Sequence, residues 1–389
     1  EEEINIDIVP LFETMEGLDA GENVMKELYN FPIYRRHVER RGNEQTIMLG
    51  FSDGTKDGGY LKANWEIYET KEQLTKVSED YGIKVIFFDG RGGPPARGGG
   101  KTHDFYASQG KTIANNKIEI TIQGQTITSV FGNKDQAKYN FEQLLTAGIE
   151  NDVFKNSKKD LSQKERELIE ELANISFKKY SDLKAHPMFV PYLQEMSTLE
   201  YYGKTNIGSR PSKRGAGNEI KFEDLRAIPF VGSWSQLKQN VPGFFGFGFA
   251  LHDLKKEGRF DEVLALYKGS DFFKTLVLNS MMSMNKSYFP LTYYMKNNPK
   301  FGEFWSVLFE EYELSKAMML ELTGFKMLME EEPLSRKSVK IREKIVLPLL
   351  SIQQYALMKI QKKEGKMEAY EKLVTRSLFG NINASRNSA

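Results

Sequence analysis

Three polar side chains each stand just beyond a short apolar run. Glu13 follows Val9-Pro10-Leu11-Phe12, Asp53 follows Leu49-Gly50-Phe51-Ser52, and Arg91 follows Phe87-Phe88-Asp89-Gly90. If the runs are parallel strands, their C-terminal ends converge on one face, where β/α folds bind ligands, and residues far apart in sequence can meet there. Two carboxylates on such a face suit Mg²⁺ or Mn²⁺, hard cations that take oxygen ligands and keep open positions for water and substrate. The same spacing also suits a blander reading, with Glu13 capping a helix and Asp53 an ordinary turn residue. Lys56, three residues after Asp53, would aim a cation at the same face, although a lone lysine is more often solvated.

The stretch Gly90-Arg91-Gly92-Gly93-Pro94-Pro95-Ala96-Arg97-Gly98-Gly99-Gly100-Lys101 is the strongest local signal. Its glycines let the backbone approach an anion, and Arg91 and Arg97 offer planar forks that match phosphate or carboxylate. A flexible surface loop is the alternative. Gly100-Lys101-Thr102 imitates the end of a nucleotide-binding P-loop, but Pro95 stands where that motif needs its first glycine, so the P-loop is rejected. His37, His103, His186 and His252 fall in no metal-ligand or catalytic spacing.

The elements that must position these residues follow from periodicity. Ile6 to Phe12, Thr46 to Phe51 and Lys84 to Phe88 read as strands, with helix-length segments Gly21 to Arg41 and Gly59 to Tyr81 between them, giving a parallel β-α-β-α-β order. Ile118 to Ile122 and Thr126 to Phe131, across Gly124, read as a hairpin. After about residue 135 helical spacing dominates. Asp160 or Ser162 is placed to cap a helix, and Pro187, Pro191, Pro211, Pro229, Pro242, Pro290, Pro333 and Pro348 are expected to separate helices. Gly208 to Asn218, basic and glycine-rich, reads as a mobile loop.

Composition bounds the function. Across 389 residues, 54 Lys and Arg against 53 Asp and Glu leave no long-range field for polyanions, so neither nucleic acid nor a membrane surface is an expected partner. The absence of cysteine excludes disulfides and thiolate metal sites and fits a reducing, cytoplasmic setting. No apolar run is long enough to span a bilayer, so the sequons at Asn174, Asn285 and Asn383 are read as chance. An acidic start without methionine, running at once into an apolar segment, suggests a truncated beginning.

Together these segments resemble the phosphoenolpyruvate carboxylase family. Val9-Pro10-Leu11-Phe12-Glu13-Thr14 is similar to a family motif; Ile47 to Gly59 resembles its strand-and-lysine signature, with Phe51 for tyrosine and Gly54 for serine; Gly90 to Gly100 resembles its glycine-rich loop. Gly208-Ser209-Arg210-Pro211-Ser212-Lys213-Arg214, Leu225-Arg226-Ala227-Ile228-Pro229 and the tail Arg386-Asn387-Ser388-Ala389 follow in family order.

The resemblance implies an α/β fold: part of a (β/α)8 TIM-type barrel in residues 1–135, with metal and phosphate loops, and a large, predominantly helical part in residues 136–389. It implies Glu13 and Asp53 as ligands of Mg²⁺ or Mn²⁺, Lys56 at the catalytic lysine position, Arg91 and Arg226 holding the phosphate and carboxylate of phosphoenolpyruvate, Arg97 on a closing loop, and Arg210 supporting the anion pocket. It further implies bicarbonate as co-substrate, oxaloacetate and phosphate as products, a homotetramer, and an inhibitor site for aspartate or malate at Arg97, Lys286, Arg342 and Asn387.

There are departures from the family pattern. Asp89 stands where the family usually has histidine, Pro94-Pro95 stiffen the loop, Trp234-Ser235-Gln236 only approximates Trp-Thr-Gln, and the segment after Arg342 is less polar than usual. The family's catalytic histidine and another substrate arginine belong to an N-terminal half outside this sequence. The rival reading is a non-catalytic homologue or fragment that binds dicarboxylates or assembles with partners; the full open reading frame discriminates the two.

Overall fold

Four short strands, β1 (Leu11–Phe12), β2 (Glu44–Leu49), β3 (Lys84–Asp89) and β4 (Ile118–Ile120), form one parallel sheet in sequential order. The structure is a computed structural model that describes residues 5–121, 127, 131–153, 160–203 and 221–385. The register is level at the C-terminal ends: Phe12 stands opposite Leu49, Leu49 opposite Asp89, and Asp89 opposite Ile120. The ladder runs one residue further, because Gly50 N–H donates to Phe12 O at 2.9 Å, Gly90 N–H to Leu49 O at 2.9 Å, and Thr121 N–H to Asp89 O at 3.2 Å. Glu13, Gly50, Gly90 and Thr121 therefore leave the sheet along one line.

The parallel β/α order expected from the sequence is present, with corrections at its boundaries. The first strand is two residues rather than Ile6 to Phe12. Pro10 has no N–H to give a ladder, and its carbonyl instead accepts from Met48 N–H at 2.8 Å. The second strand ends at Leu49, and Phe51, Ser52 and Asp53 open a helix, α3 (Phe51–Gly58), so Asp53 lies in a first helical turn rather than at a strand end. The single helix expected from Gly21 to Arg41 is two, α1 (Met15–Asn30) and α2 (Pro32–Arg40). Pro32 forces Phe31 out of helical geometry (ψ 115). The expected hairpin is not seen among the described residues: β4 pairs parallel with β3, and Ile127 and Phe131, the described positions of the second arm, are helical. Gly124 and the Gly208 to Asn218 loop lie outside the described residues.

Helix α4 (Tyr60–Asp80) covers the sheet, while α5 (Thr102–Ala107) and α6 (Lys134–Val153) flank β4 in sequence. The remainder is helical: α7 (Gln163–Ala185), α8 (Phe189–Met196), α9 (Leu199–Tyr202), α10 (Ala227–Gln236), α11 (Phe247–Lys256), α12 (Phe260–Gly269), α13 (Asp271–Asn285), α14 (Gly302–Thr323), α15 (Pro333–Gln361) and α16 (Met367–Ser385). Ser162, one of the two proposed caps, starts α7 with a full capping box: its side chain accepts from Glu165 N–H while Glu165 accepts from Ser162 N–H at 2.8 Å.

Pro187, Pro242 and Pro290 fall between α-helices as expected, whereas other prolines are accommodated at helix starts or inside a helix. Pro191 and Pro229 sit in first turns and Pro333 at a helix start, where the missing N–H costs nothing. Pro348 lies inside α15, whose Val346, Leu350, Ala356 and Leu357 are buried. That burial, against Val374 and Leu378 of α16 in the case of Ala356 and Leu357, offsets the ~3 kcal/mol an interior proline costs.

The largest core joins the sheet to α1, α4, α7, α11 and α13. A second, aromatic core (Phe189, Tyr192, Phe230, Trp234, Trp305) holds α8, α10 and α14. The α15–α16 pair packs on Tyr201 and Tyr202 of α9.

Candidate metal and anion-binding site

Glu13 leaves β1 beside the bare Cα of Gly50: a Cβ there would stand 2.3 Å from Glu13 Cβ and 3.5 Å from its Oε2. Glycine at the end of β2 is therefore what lets the Glu13 side chain lie over the neighbouring strand. Glu13 does not cap α1; Thr14 does, its Oγ1 accepting from Gly17 N–H at 3.0 Å. The start of α1 is tied to α3 by Met15 N–H donating to Asp57 Oδ2 at 3.0 Å, and Lys184 of α7 pairs with the same carboxylate at 3.3 Å. These bonds fix the half-buried Glu13 against the helix that carries the half-buried Asp53.

The glycine-rich segment closes the other side. Pro95–Arg97 form a 3-10 turn against α3, with Ser52 Oγ donating to Arg97 O at 3.1 Å. Gly98 has φ +73, and a Cβ on it would meet Phe51 O at 2.7 Å, so both conformation and contact demand glycine. Burial lowers the Arg97 guanidinium pKa to about 10, with Asp53 acting in the opposite direction and Tyr202 next after it. Arg97 is thus within electrostatic reach of Asp53.

Arg91 is buried. Its guanidinium lies over the Phe105 ring at 4.3 Å, and Nη2 donates to Lys101 O at 3.2 Å, while its Nε has no hydrogen-bond partner. Burial lowers its pKa, opposed first by Tyr106 and Tyr60 and then by Asp89. Lys56, in the last turn of α3, is also buried and reaches another segment: Nζ donates to Leu225 O at 2.8 Å and to Phe222 O at 3.4 Å, above the Phe222 ring at 4.6 Å. That contact brings Lys56 to the backbone beside Arg226, the residue preceding α10, whose Nε is buried and has no hydrogen-bond partner.

Lys286, at the end of α13, is buried, and its ammonium pKa is pushed down to about 7 by burial, then by Lys238 and Arg342. Lys238 pairs with Glu343 at 2.9 Å, and Arg342 Nη1 donates to Ser385 O at 3.5 Å. Lys286 and Arg342, expected together at one inhibitor site, are therefore within electrostatic reach of each other. Arg210 and Asn387 lie outside the described residues.

Sequence reasoning missed Ser52, Lys71, Tyr106, Tyr202, Phe222 and Lys238. Of these Lys71 left a signal: Tyr60, Asn64, Ile67, Lys71, Leu74 and Ser78 share the buried face of α4, and a lysine in such a stripe needs a partner. A further carboxylate group, Glu66, Glu69 and Glu170, lies on α4 and α7, with ligand oxygens within 4.8 Å of one another. Lys62 already spans it, at 2.5 Å from Glu66 and 3.0 Å from Glu170.

The family model of phosphoenolpyruvate carboxylase matches residues 1–385. The chain belongs to the phosphoenolpyruvate carboxylase family. It is 35% identical over 393 residues to the phosphoenolpyruvate carboxylase of Corynebacterium glutamicum, covering 98% of this chain and 42% of that protein. Those of Corynebacterium efficiens (33% over 394 residues, 99% and 42%) and Corynebacterium diphtheriae (33% over 360 residues, 90% and 40%) are similar. The chain thus spans less than half the length of these phosphoenolpyruvate carboxylases, which are carboxy-lyases. Among the described residues no helix is long and apolar enough to cross a membrane.

Proposed function

We propose that this chain forms the metal- and anion-binding part of a phosphoenolpyruvate carboxylase. The observation that carries the reading is the level ending of the strands, from which Glu13, Asp53 of the following helix and the arginines of the glycine-rich segment all extend. On this reading the sheet is an arc of a (β/α)8 barrel in residues 1–135, and residues 136–389 are its helical extension, in a cytoplasmic homotetramer.

The Glu13 and Asp53 carboxylates fit a divalent cation by donor chemistry: hard oxygens on adjacent elements, held by the Gly50 approach. When bound, Mg²⁺ or Mn²⁺ would stabilise negative charge developing on the enolate oxygen.

Arg91 and Arg226 hold the phosphate and carboxylate of phosphoenolpyruvate, with Arg210 in support, and Lys56 stands at the reacting face. A bicarbonate oxygen attacks phosphorus, the bond from phosphorus to the enol oxygen breaks, and carboxyphosphate and the enolate of pyruvate result. Carboxyphosphate releases carbon dioxide, which the enolate carbon captures to give oxaloacetate; the bicarbonate proton leaves on inorganic phosphate. The arginines stabilise the transferring phosphoryl group, and the Arg97 segment excludes water that would protonate the enolate. Lys286 and Arg342, with Arg97 and Asn387, receive aspartate or malate as inhibitor.

General acid–base work needs a residue that none of the four histidines is spaced to supply. In a coupled oxaloacetate assay the complete polypeptide should turn over with bicarbonate and Mg²⁺ while this chain alone reads background. No turnover by the complete polypeptide refutes the function, and turnover by the chain alone refutes its incompleteness.

A further inference from the structure

Asp89 and Arg91 are separated only by Gly90 at the end of β3. A carboxylate this close to an arginine ordinarily takes the guanidinium in a charge-assisted, often bidentate pair. Such a pair would occupy the donors that an anionic ligand needs. The structure holds the two apart. Asp89 is fully buried, and its Oδ2 accepts from Lys71 Nζ at 2.7 Å and from Tyr106 O–H at 2.8 Å. Arg91 is turned to the Phe105 face and to Lys101 O. Arg91 Nε and Asp89 Oδ1 are both buried without a hydrogen-bond partner, so neither engages the other.

The Lys71 ammonium is caged by aromatic rings, 5.1 Å from that of Phe87, 5.6 Å from Phe105 and 5.7 Å from Tyr106. Phe105 is thus shared by the two cations, one on Asp89 and one uncommitted at Nε. Burial lowers the Lys71 pKa, with Asp89 the largest opposing influence. An ammonium in so dry a place persists only with its carboxylate.

We propose that Lys71 is a positioning residue: by holding Asp89, it keeps the Arg91 guanidinium available to the anionic substrate. This rests on the reading of Arg91 as an anion-binding residue.

The test uses the complete polypeptide, with phosphoenolpyruvate and inorganic phosphate as probes and crystal structures of the variants as a second readout. Lys71→Gln frees Asp89 to pair with Arg91, and both probes should bind about tenfold or more weakly, the scale of one charge-assisted hydrogen bond. Adding Asp89→Asn removes the competitor and should restore affinity to within about threefold, a rescue that loss of packing alone would not produce. Unchanged affinity in folded Lys71→Gln overturns the proposal.

If Lys71→Gln does not fold, Asp89→Asn alone decides. Lys71, then unpaired and buried, sheds its proton, and affinity should hold or rise; a fall beyond about threefold overturns the proposal. The functional reading fails separately, if the unmodified protein binds neither probe. In that case the crystal structure of Lys71→Gln, or of the double variant should the single one not fold, still judges the positioning. Asp89 on Arg91 in the single variant, or an unmoved Arg91 in the double, supports it, and any other arrangement overturns it.

Discussion

Gly50→Ala tests the proposed metal site without touching either proposed ligand. Gly50 has φ −92, a conformation open to alanine, so the substitution carries no backbone strain and acts only through space. Its new Cβ would stand 2.3 Å from Glu13 Cβ and 3.0 Å from Glu13 Cα, where ordinary contact begins at 3.4 Å. Glu13 must therefore retreat by about 1 Å, and overpacking of this kind costs ~1–3 kcal/mol. Because Asp53 sits three residues beyond Gly50 on α3, the displacement changes the spacing of the two carboxylates directly. A 1 Å misplacement of reacting groups costs on the order of 100-fold in rate. In the complete enzyme, Gly50→Ala should lose turnover on that scale and bind Mn²⁺ at least about tenfold more weakly, while urea unfolding shows a loss of no more than ~3 kcal/mol. Gly42→Ala is the control. With φ +81 and nothing within 4 Å of its Cβ, it pays ~1 kcal/mol for its conformation and should keep full Mn²⁺ affinity. A stable Gly50→Ala enzyme with unchanged Mn²⁺ affinity and turnover would refute Glu13 as a ligand.

Asp53→Ala should abolish Mn²⁺ binding and turnover together, by isothermal titration and coupled assay, and Arg226→Ala should raise KM for phosphoenolpyruvate without lowering the melting temperature. Lys286 titrates near pH 7 in the fold against an ordinary lysine value of 10.5, so the folded state is penalised most below pH 7 and relieved as pH rises toward 10.5. Lys286→Met should therefore flatten the pH dependence of urea stability across that window, and aspartate or malate inhibition of the unmodified enzyme should weaken above about pH 7. Ser162→Ala should cost ~1 kcal/mol of unfolding free energy by removing the cap of α7, with no effect on kcat.

What was legible in the sequence was position along the chain. Alternation of apolar runs with helix-length segments pointed to the parallel sheet, because a parallel pair needs a crossover long enough to hold a helix. Glu13 and Arg91 were visible as polar residues just past such runs. The errors arose where one residue's backbone chemistry overrode the pattern. Pro10 shortened β1, Gly50 ended β2 early and moved Asp53 into a helix, Pro32 split a helix, and the packing of α15 on α16 carried Pro348 inside a helix. The hairpin failed because alternation marks a strand without naming its partner; β4 found β3, already buried beside it.

The contacts that set each charge were hidden for a different reason. Lys71 lies 18 positions from Asp89, and Lys56 lies 169 from the Leu225 carbonyl, separations over which no local pattern constrains a pair. Yet what decides the chemistry of each cation is that partner. Lys71 is consumed by a buried carboxylate, Lys56 is held by backbone carbonyls, Arg91 rests on a ring with a donor uncommitted, and Lys286 faces other cations. Four basic side chains alike in sequence are thereby sorted into a counterion, a tethered ammonium, a guanidinium with an uncommitted donor and a titrating group. An arginine or lysine at a strand end is an anion-site candidate only after the nearest acid has been assigned elsewhere, and in this fold the residue that makes that assignment for Arg91 sits in the middle of a helix with no motif around it.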